Sequence, residues 1–302
     1  MKDTINTSTM RLDRSKSTEN SRIILALTAL GKDVTNVGGY NLLAGLNEMS
    51  YLRKQGTNGP VWALIALDSH DYAPQGDVTR EKLIDTIIDL QMENGAWYIS
   101  AANPSADTDM TAMAIQALAP YYKTNAKVKD AVDNALAYLS SIQKADGSFS
   151  AANGGSASGE STAQVLAALC ALGIDPVADS RFIKSGSTVL DGLCKFYVDG
   201  GGFRHNLNGE RNAMATEQCY YALAAYFRMK DGKTALYDMS DVTLANTPTN
   251  PTKPITPATP SSGSTASADT GDDSSLPLWM GGCLCSAAAI LVLLQAKKRR
   301  AR

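Results

Sequence analysis

The feature that most limits what this chain can fold into is an internal repeat. MTAMAIQAL from Met110 aligns with STAQVLAAL from Ser161 at an offset of 51 residues, and that segment aligns with ATEQCYYAL from Ala215 at 54. An earlier copy, GPVWALIAL from Gly59, lies 51 residues before Met110. Between these Ala-rich segments a second element recurs: QMENGAW from Gln91, QKADGSF from Gln143, 52 residues on, and a weaker third copy, VDGGGF, from Val198. A fixed period of this length is the signature of stacked structural units that share one core.

Each period also holds an amphipathic segment. VTREKLIDTIIDLQ, from Val78, places Leu83, Ile84, Ile87, Ile88 and Leu90 at helical spacing. AKVKDAVDNALAYLSSIQ from Ala126 and SRFIKSGSTVLDGLCKFY from Ser180 repeat the pattern, and strand-type alternation is almost absent. Two helices per period make an α-hairpin. Helices rich in alanine suit a crowded inner ring, and amphipathic ones suit an outer ring with one face in water. The expected fold class is therefore all-α, built from helical hairpin repeats.

With Gln-x-x-x-Gly-x-Trp/Phe turns joining alternating inner and outer helices, the chain resembles the α/α toroid of squalene and terpene cyclases, protein prenyltransferase β-subunits and cobalamin carriers. It is most similar to the prenyltransferase-like repeat domain of Gram-positive surface proteins. The resemblance spans roughly Ser17 to Lys230. A closed toroid of that family has six hairpins, and about nine helices are countable here, beginning at TENSRIILALTALG. LTALGKD at Leu27 parallels LCALGID at Leu169, so the first helix already matches the interior of a repeat. An incomplete ring is expected, lacking about one and a half hairpins at its N-terminus, where a signal peptide is also missing. Residues 1–16 are expected to be disordered and residues 17–246 to form the toroid.

The C-terminal part has a different composition. Residues 247–275 are almost wholly Thr, Pro, Ser, Gly, Ala and Asp, too poor in apolar surface to offset chain entropy, and form a linker. Residues 276–295 contain an uncharged apolar run, Leu276 to Leu294, that spans about 28 Å as a helix, near the roughly 30 Å of a bilayer core. The basic tail, residues 296–302, orients that span with the preceding domain outside the cell. This end resembles the sorting signals of Gram-positive wall proteins, keeping Thr270-Gly271 but with Ser267 and Ala268 in place of Leu and Pro. The expected location is the cell surface, anchored in the plasma membrane or cell wall of a Gram-positive bacterium. With a formal net charge of −2 and no basic run outside the tail, nucleic acid is not an expected partner. Cys170, Cys194 and Cys219 lie on apolar helical stretches without paired spacing, which argues for buried thiols and against a disulfide framework.

The candidate chemistry gathers where the Ala-rich helices begin. Asp107 fits a helix cap, and Glu160 and Glu217 occur at comparable places. Squalene-type cyclases carry Asp-x-Asp-Asp-Thr-Ala at the head of an inner helix, the middle Asp protonating the substrate. Here the segment is Asp107-Thr108-Asp109-Met110-Thr111-Ala112, so the resemblance makes Asp109 the one catalytic candidate, a general acid, with Met110 in place of the last carboxylate. Protein prenyltransferases hold zinc with Asp, Cys and His; the corresponding helix here has Glu217 where that His stands, so no metal and no cofactor are expected. Nothing marks a nucleophile for His205.

The remaining class is binding. Concave apolar pockets with a few polar groups are the default ligand sites. Trp62, Trp97, Tyr98, Phe149, Phe203, Tyr220 and Tyr221 supply aromatic surfaces near the rim of such a funnel, with Asp107, Asp109, Glu160, Arg204, His205, Glu217 and Gln218 as polar contacts. The expected function is non-catalytic binding of a small molecule, glycan or peptide, or adhesion. Two alternatives stand beside it: a cyclase or prenyltransferase-like enzyme using Asp109, and corrinoid binding with a partner domain, since the β-rich domain that closes over the corrinoid in cobalamin carriers is not seen after Asp241.

Overall fold

In a computed structural model of the chain, residues 5–245 are described, and within them the expected period is built as helical pairs. The five inner helices are α1 (Thr18–Ala29), α3 (Asn58–Asp68), α5 (Thr108–Leu118), α7 (Gly159–Ala171) and α9 (Ala213–Lys230). The outer helices are α2 (Met49–Leu52), α4 (Arg80–Asp89), α6 (Ala126–Ile142) and α8 (Val189–Cys194). Each inner helix packs against the next inner helix in chain order, while α4, α6 and α8 lie against α3, α5 and α7. Linker 247–275, span 276–295, tail 296–302 and the sorting pair Thr270-Gly271 lie outside the described residues. Among the described residues no helix is long and apolar enough to cross a membrane.

The two rings differ for a reason visible in their side chains. On α6 the buried positions are Val128, Ala131, Val132, Ala135, Leu136, Tyr138 and Leu139, a stripe repeating every three or four residues, with Asn125 capping the helix through Val128 N. On α7 every residue from Gly159 to Cys170 is buried, so the helix is apolar or small on all sides, with Thr162, Gln164 and Glu160 hydrogen-bonded. At about 1.5–3 kcal/mol for each large apolar side chain removed from water, these faces supply the main stabilisation of the ring.

The first two copies of the repeated turn are locked in the same way. Gln91 Nε2 donates to Gly95 O (2.9 Å) and to Ala131 O on α6 (2.8 Å); Gln143 Nε2 donates to Gly147 O (3.2 Å) and Phe182 O (3.0 Å). Gly95 and Gly147 have φ of 85° and 88°, a left-handed conformation that favours glycine. The aromatic residue that follows is buried and donates its backbone N–H to a threonine one turn into the next inner helix. The pairs are Trp97 to Thr111 (2.9 Å), Phe149 to Thr162 (3.0 Å) and Phe203 to Thr216 (2.9 Å). The same aromatic pairs in antiparallel fashion with the helix cap: Trp97 with Asp107, Phe149 with Ser158, Phe203 with Asn212. In the third copy this pairing extends to a two-residue hairpin, β1 (Phe203–Arg204) and β2 (Arg211–Asn212).

Three expectations need correction. Residues 5–16 are ordered, not loose: Asn20 donates to Met10 O and accepts from Leu12 N, Tyr51 OH donates to Asp13 O (2.6 Å), and Arg11 pairs with Glu48 (2.9 Å). A polar segment is held here by core side chains its own composition does not reveal. The segment from Ser180 is not one long helix. Ser185 and Gly186 take positive φ (48° and 80°) in a tight turn between Lys184 and Ser187, and α8 starts only at a capping box formed by Thr188 and Asp191. Finally, Cys170 and Cys219 are buried free thiols, but Cys194, at the end of the shortened α8, is exposed.

After α9 the chain turns back. Residues 231–245 form a return strap: Met239 N donates to Ser69 O (2.8 Å), Val242 O bonds His70 Nε2 (3.0 Å), and Ala245 N donates to Gly31 O (2.7 Å). Tyr237 stands edge-on to Trp62 of α3 with ring centroids 5.7 Å apart. The strap thus ties the last inner helix to the first two.

Candidate functional site

The inner helices run in one direction, so their ends make two separate environments. At the C-terminal ends lies a partly open cavity of about 650 Å³, walled by Ile65, Gln116, Ala117, Ala167 and Ala171 and covered by Tyr237 of the strap. Its polar corner is Asp68, which accepts from Arg80 Nε (2.7 Å) and from Tyr121 OH (2.8 and 3.0 Å). Arg80 also donates to Leu67 O and Tyr72 O (3.0 Å each). Burial raises the Asp68 carboxyl above its ordinary value against the pull of Arg80 and Tyr121. None of the residues proposed from sequence walls this cavity.

Those residues divide at the opposite end. Trp97, Phe149 and Phe203 are 0–1% exposed and are core pieces of the turns, not rim surfaces; Trp97 Nε1 donates to Ile87 O (2.6 Å). Tyr98 contributes a carbonyl that accepts from Thr57 Oγ1 (2.6 Å). Asp107 is the cap of α5, its Oδ1 accepting from Met110 N (2.7 Å), and the residues in its place in later repeats are Ser158 and Asn212. By that register Glu160 is the counterpart of Asp109, and Glu217 sits about one turn deeper. The acids do not recur at one position. Tyr220 is an exposed ring edge-on to Phe203 (5.4 Å), and Arg204 Nη1 donates to Leu207 O (3.0 Å).

What the structure does bring together faces the lumen. Gln116 Nε2 donates to Gln164 Oε1 (3.0 Å), and Gln164 Nε2 donates to Gln218 Oε1 (3.0 Å), a ladder crossing α5, α7 and α9. Helical spacing then puts Asp109, seven residues before Gln116, Glu160, four before Gln164, and Tyr221, three after Gln218, on the same side as the ladder. Glu160, 7% exposed, accepts from Ser158 Oγ (3.1 Å) and pairs with Nδ1 of the outward-lying His205 (2.8 Å). Asp109 Oδ1 and the Tyr221 hydroxyl are buried with no hydrogen-bond partner. Burial pushes the Asp109 carboxyl up to about 6, and Asp107 and Glu160 reinforce this; Ser161 and His205 act in the opposite sense. Ser161 Oγ nevertheless lies outside hydrogen-bond geometry and is itself unpartnered. Tyr221 is raised well above the usual phenol range by burial and then by Tyr237, Asp109, Cys219 and Glu217.

A family model for the prenyltransferase alpha-alpha toroid domain matches residues 9–221. The chain belongs to that family. Among solved structures it is similar to Candida albicans protein geranylgeranyltransferase-I complexed with GGPP, at 13% identity and a TM-score of 0.46, over 63% of this chain and 57% of that one. The toroid described here thus covers less than two thirds of that chain. No curated protein resembles the chain closely enough to count as a match. Among the described residues of the toroid, no three His, Cys, Asp or Glu side chains converge as a metal site would require; Glu217 is exposed, and Asp191 and Cys194 lie on α8.

Sequence reasoning missed the cavity's own residues. Gln116, and Gln164 of the ladder beside it, were detectable as polar side chains inside Ala-rich helices, where an unpaired amide is costly. Tyr237 carried no signal, because the strap belongs to no repeat.

Proposed function

We propose that this toroid is a non-catalytic binding domain that takes a small amphipathic ligand in its central cavity, displayed at the cell surface by the segment that follows it. The observation that carries this reading is the cavity of about 650 Å³, a size suited to a small organic ligand, with alanine walls and a hydrogen-bonded Asp68–Arg80–Tyr121 corner. Apolar walls with a few fixed polar groups bind and orient, and Asp68 is already engaged by two partners.

Calorimetry on the full chain with the neutral probe 4-phenylbutanol tests the cavity. Saturable binding is expected for the native chain and its loss in Ala171→Phe, which fills the wall. Absence of binding, or undiminished binding in a folded Ala171→Phe chain, would overturn the reading.

A second reading is favoured by one observation, the Asp109 carboxyl pushed up to about 6. An acid so placed is partly protonated near neutrality and suited to proton donation, as in a cyclase-type enzyme. Turnover of squalene-type or polyprenyl substrates that disappears in Asp109→Asn is the result that would establish it.

A further inference from the structure

The glutamine ladder has a direction. Gln116 Nε2 donates to Gln164 Oε1 and, at 3.4 Å, to Ala112 O one turn back on α5, and Gln164 Nε2 donates onward to Gln218. A main-chain carbonyl only accepts, so the Ala112 contact fixes which end of the Gln116 amide is nitrogen. The ladder therefore begins with an acceptor, Gln116 Oε1, that takes no hydrogen bond from the described residues. Gln116 is 8% exposed and walls the cavity of about 650 Å³, and its Oε1 is not among the unpartnered atoms sealed off from solvent. An amide oxygen so placed is a fixed acceptor beside the alanines of the wall. It calls for a donor from the guest.

The donors that wall the same cavity are largely spent. Arg80 gives Nε and Nη2 to Asp68, Asp71 and the carbonyls of Leu67 and Tyr72. Tyr121 gives its hydroxyl to Asp68, and Ser240 gives its own to Asp238. The Tyr237 hydroxyl accepts as readily as it donates. Charge points the same way, for Asp68, Asp71 and Asp238 set three carboxylates against the single guanidinium of Arg80. The cavity also lies at the C-terminal ends of α3, α5 and α7, where helix dipoles place partial negative charge. An anionic head would meet repulsion there, together with an oxygen that has no proton to offer it.

We infer that the cavity selects its guest by the head group: an apolar body bearing an O–H or N–H donor, an alcohol or an amine, is held through Gln116 Oε1, and carboxylates and phosphates are turned away. The inference rests on the binding reading above and narrows its ligand to hydrogen-bond donors.

Calorimetry on the full chain at pH 7 compares four probes built on one phenylbutyl body: 4-phenylbutanol, 4-phenylbutylammonium, the methyl ether of the alcohol, and 4-phenylbutanoate. The alcohol and the ammonium are expected to bind, and the tighter of the two identifies the preferred donor. The ether keeps the oxygen and loses the donor, so it binds about fivefold to tenfold more weakly than the alcohol, the worth of one net hydrogen bond. The carboxylate binds about tenfold more weakly than the alcohol or worse. In Gln116→Met, which keeps the length of the side chain and removes the acceptor, the ratio of alcohol to ether affinity falls to about one. A merely loosened ring would weaken both probes and leave that ratio unchanged, and if the variant does not fold the ratios in the native chain decide. An ether or a carboxylate that binds as tightly as the alcohol, or an alcohol preference that survives Gln116→Met, would overturn the inference and leave the cavity reading standing. Failure of all four probes to bind would remove both.

Discussion

Replacing Asp109 by asparagine gives the most direct check on the electrostatics of the lumen. In the fold its carboxyl is pushed from an ordinary 3.8 up to about 6, chiefly by burial. The unfolded chain keeps the ordinary value, so between these two pH values the folded protein holds a proton that the unfolded protein has released. Stability therefore falls as pH rises from about 4 to about 6 and stays at the lower level above that. Two units at about 1.4 kcal/mol each give a cost of about 3 kcal/mol at pH 8, a ceiling because the site is partly open to water. Asparagine carries no such cost. Chemical denaturation of the native chain and Asp109→Asn from pH 4 to pH 8 should show the variant gaining on the native chain across that interval. For a domain of this size the gain at pH 8 corresponds to a rise in Tm of roughly 5–10 °C. A variant that loses stability relative to the native chain as pH rises would show that the fold stabilises the anion, and the account of an uncompensated lumen carboxylate would be wrong.

Two further substitutions probe the frame that holds the site. Gln164→Leu removes the middle of the glutamine ladder and strands the amides of Gln116 and Gln218; a loss of about 1–3 kcal/mol is expected in urea unfolding, whereas no loss would mean the ladder is incidental. Gly59→Ala drives a methyl group into Leu52 O at the start of α3. That contact forces α2 and α3 apart, and circular dichroism melting should show a drop in Tm far larger than for the open position Gly232→Ala.

The period of the chain was legible because each repeat must rebuild the same turn. Thr111, Thr162 and Thr216 carry the same hydrogen bond to Trp97, Phe149 and Phe203, so spacing alone registered the inner helices. The acids were harder to place. Glu217 looked equivalent to Asp107 and Glu160 because all three lie near helix starts, but the caps are Asp107, Ser158 and Asn212, three different residue types doing one job. The outer helix α8 was overestimated because its apolar spacing continues across Ser185-Gly186, where backbone conformation decides the outcome and side-chain pattern does not. The cavity itself was invisible, since part of its lining comes from a segment outside the repeat and its acid, Asp68, is committed by Arg80 and Tyr121 from other elements.

The return strap has a mechanical consequence. Its bonds to the ring come in series along the chain, at Ala245, then Val242, then Met239, with Tyr237 last and nearest the lumen. A pull applied from beyond Ala245 loads these bonds one after another, as a zip is opened, so each step needs only the force to break a single link. Traction on the end of the domain is thereby converted into stepwise withdrawal of one tyrosine from the hollow, so that the cavity is uncovered before the load reaches α9.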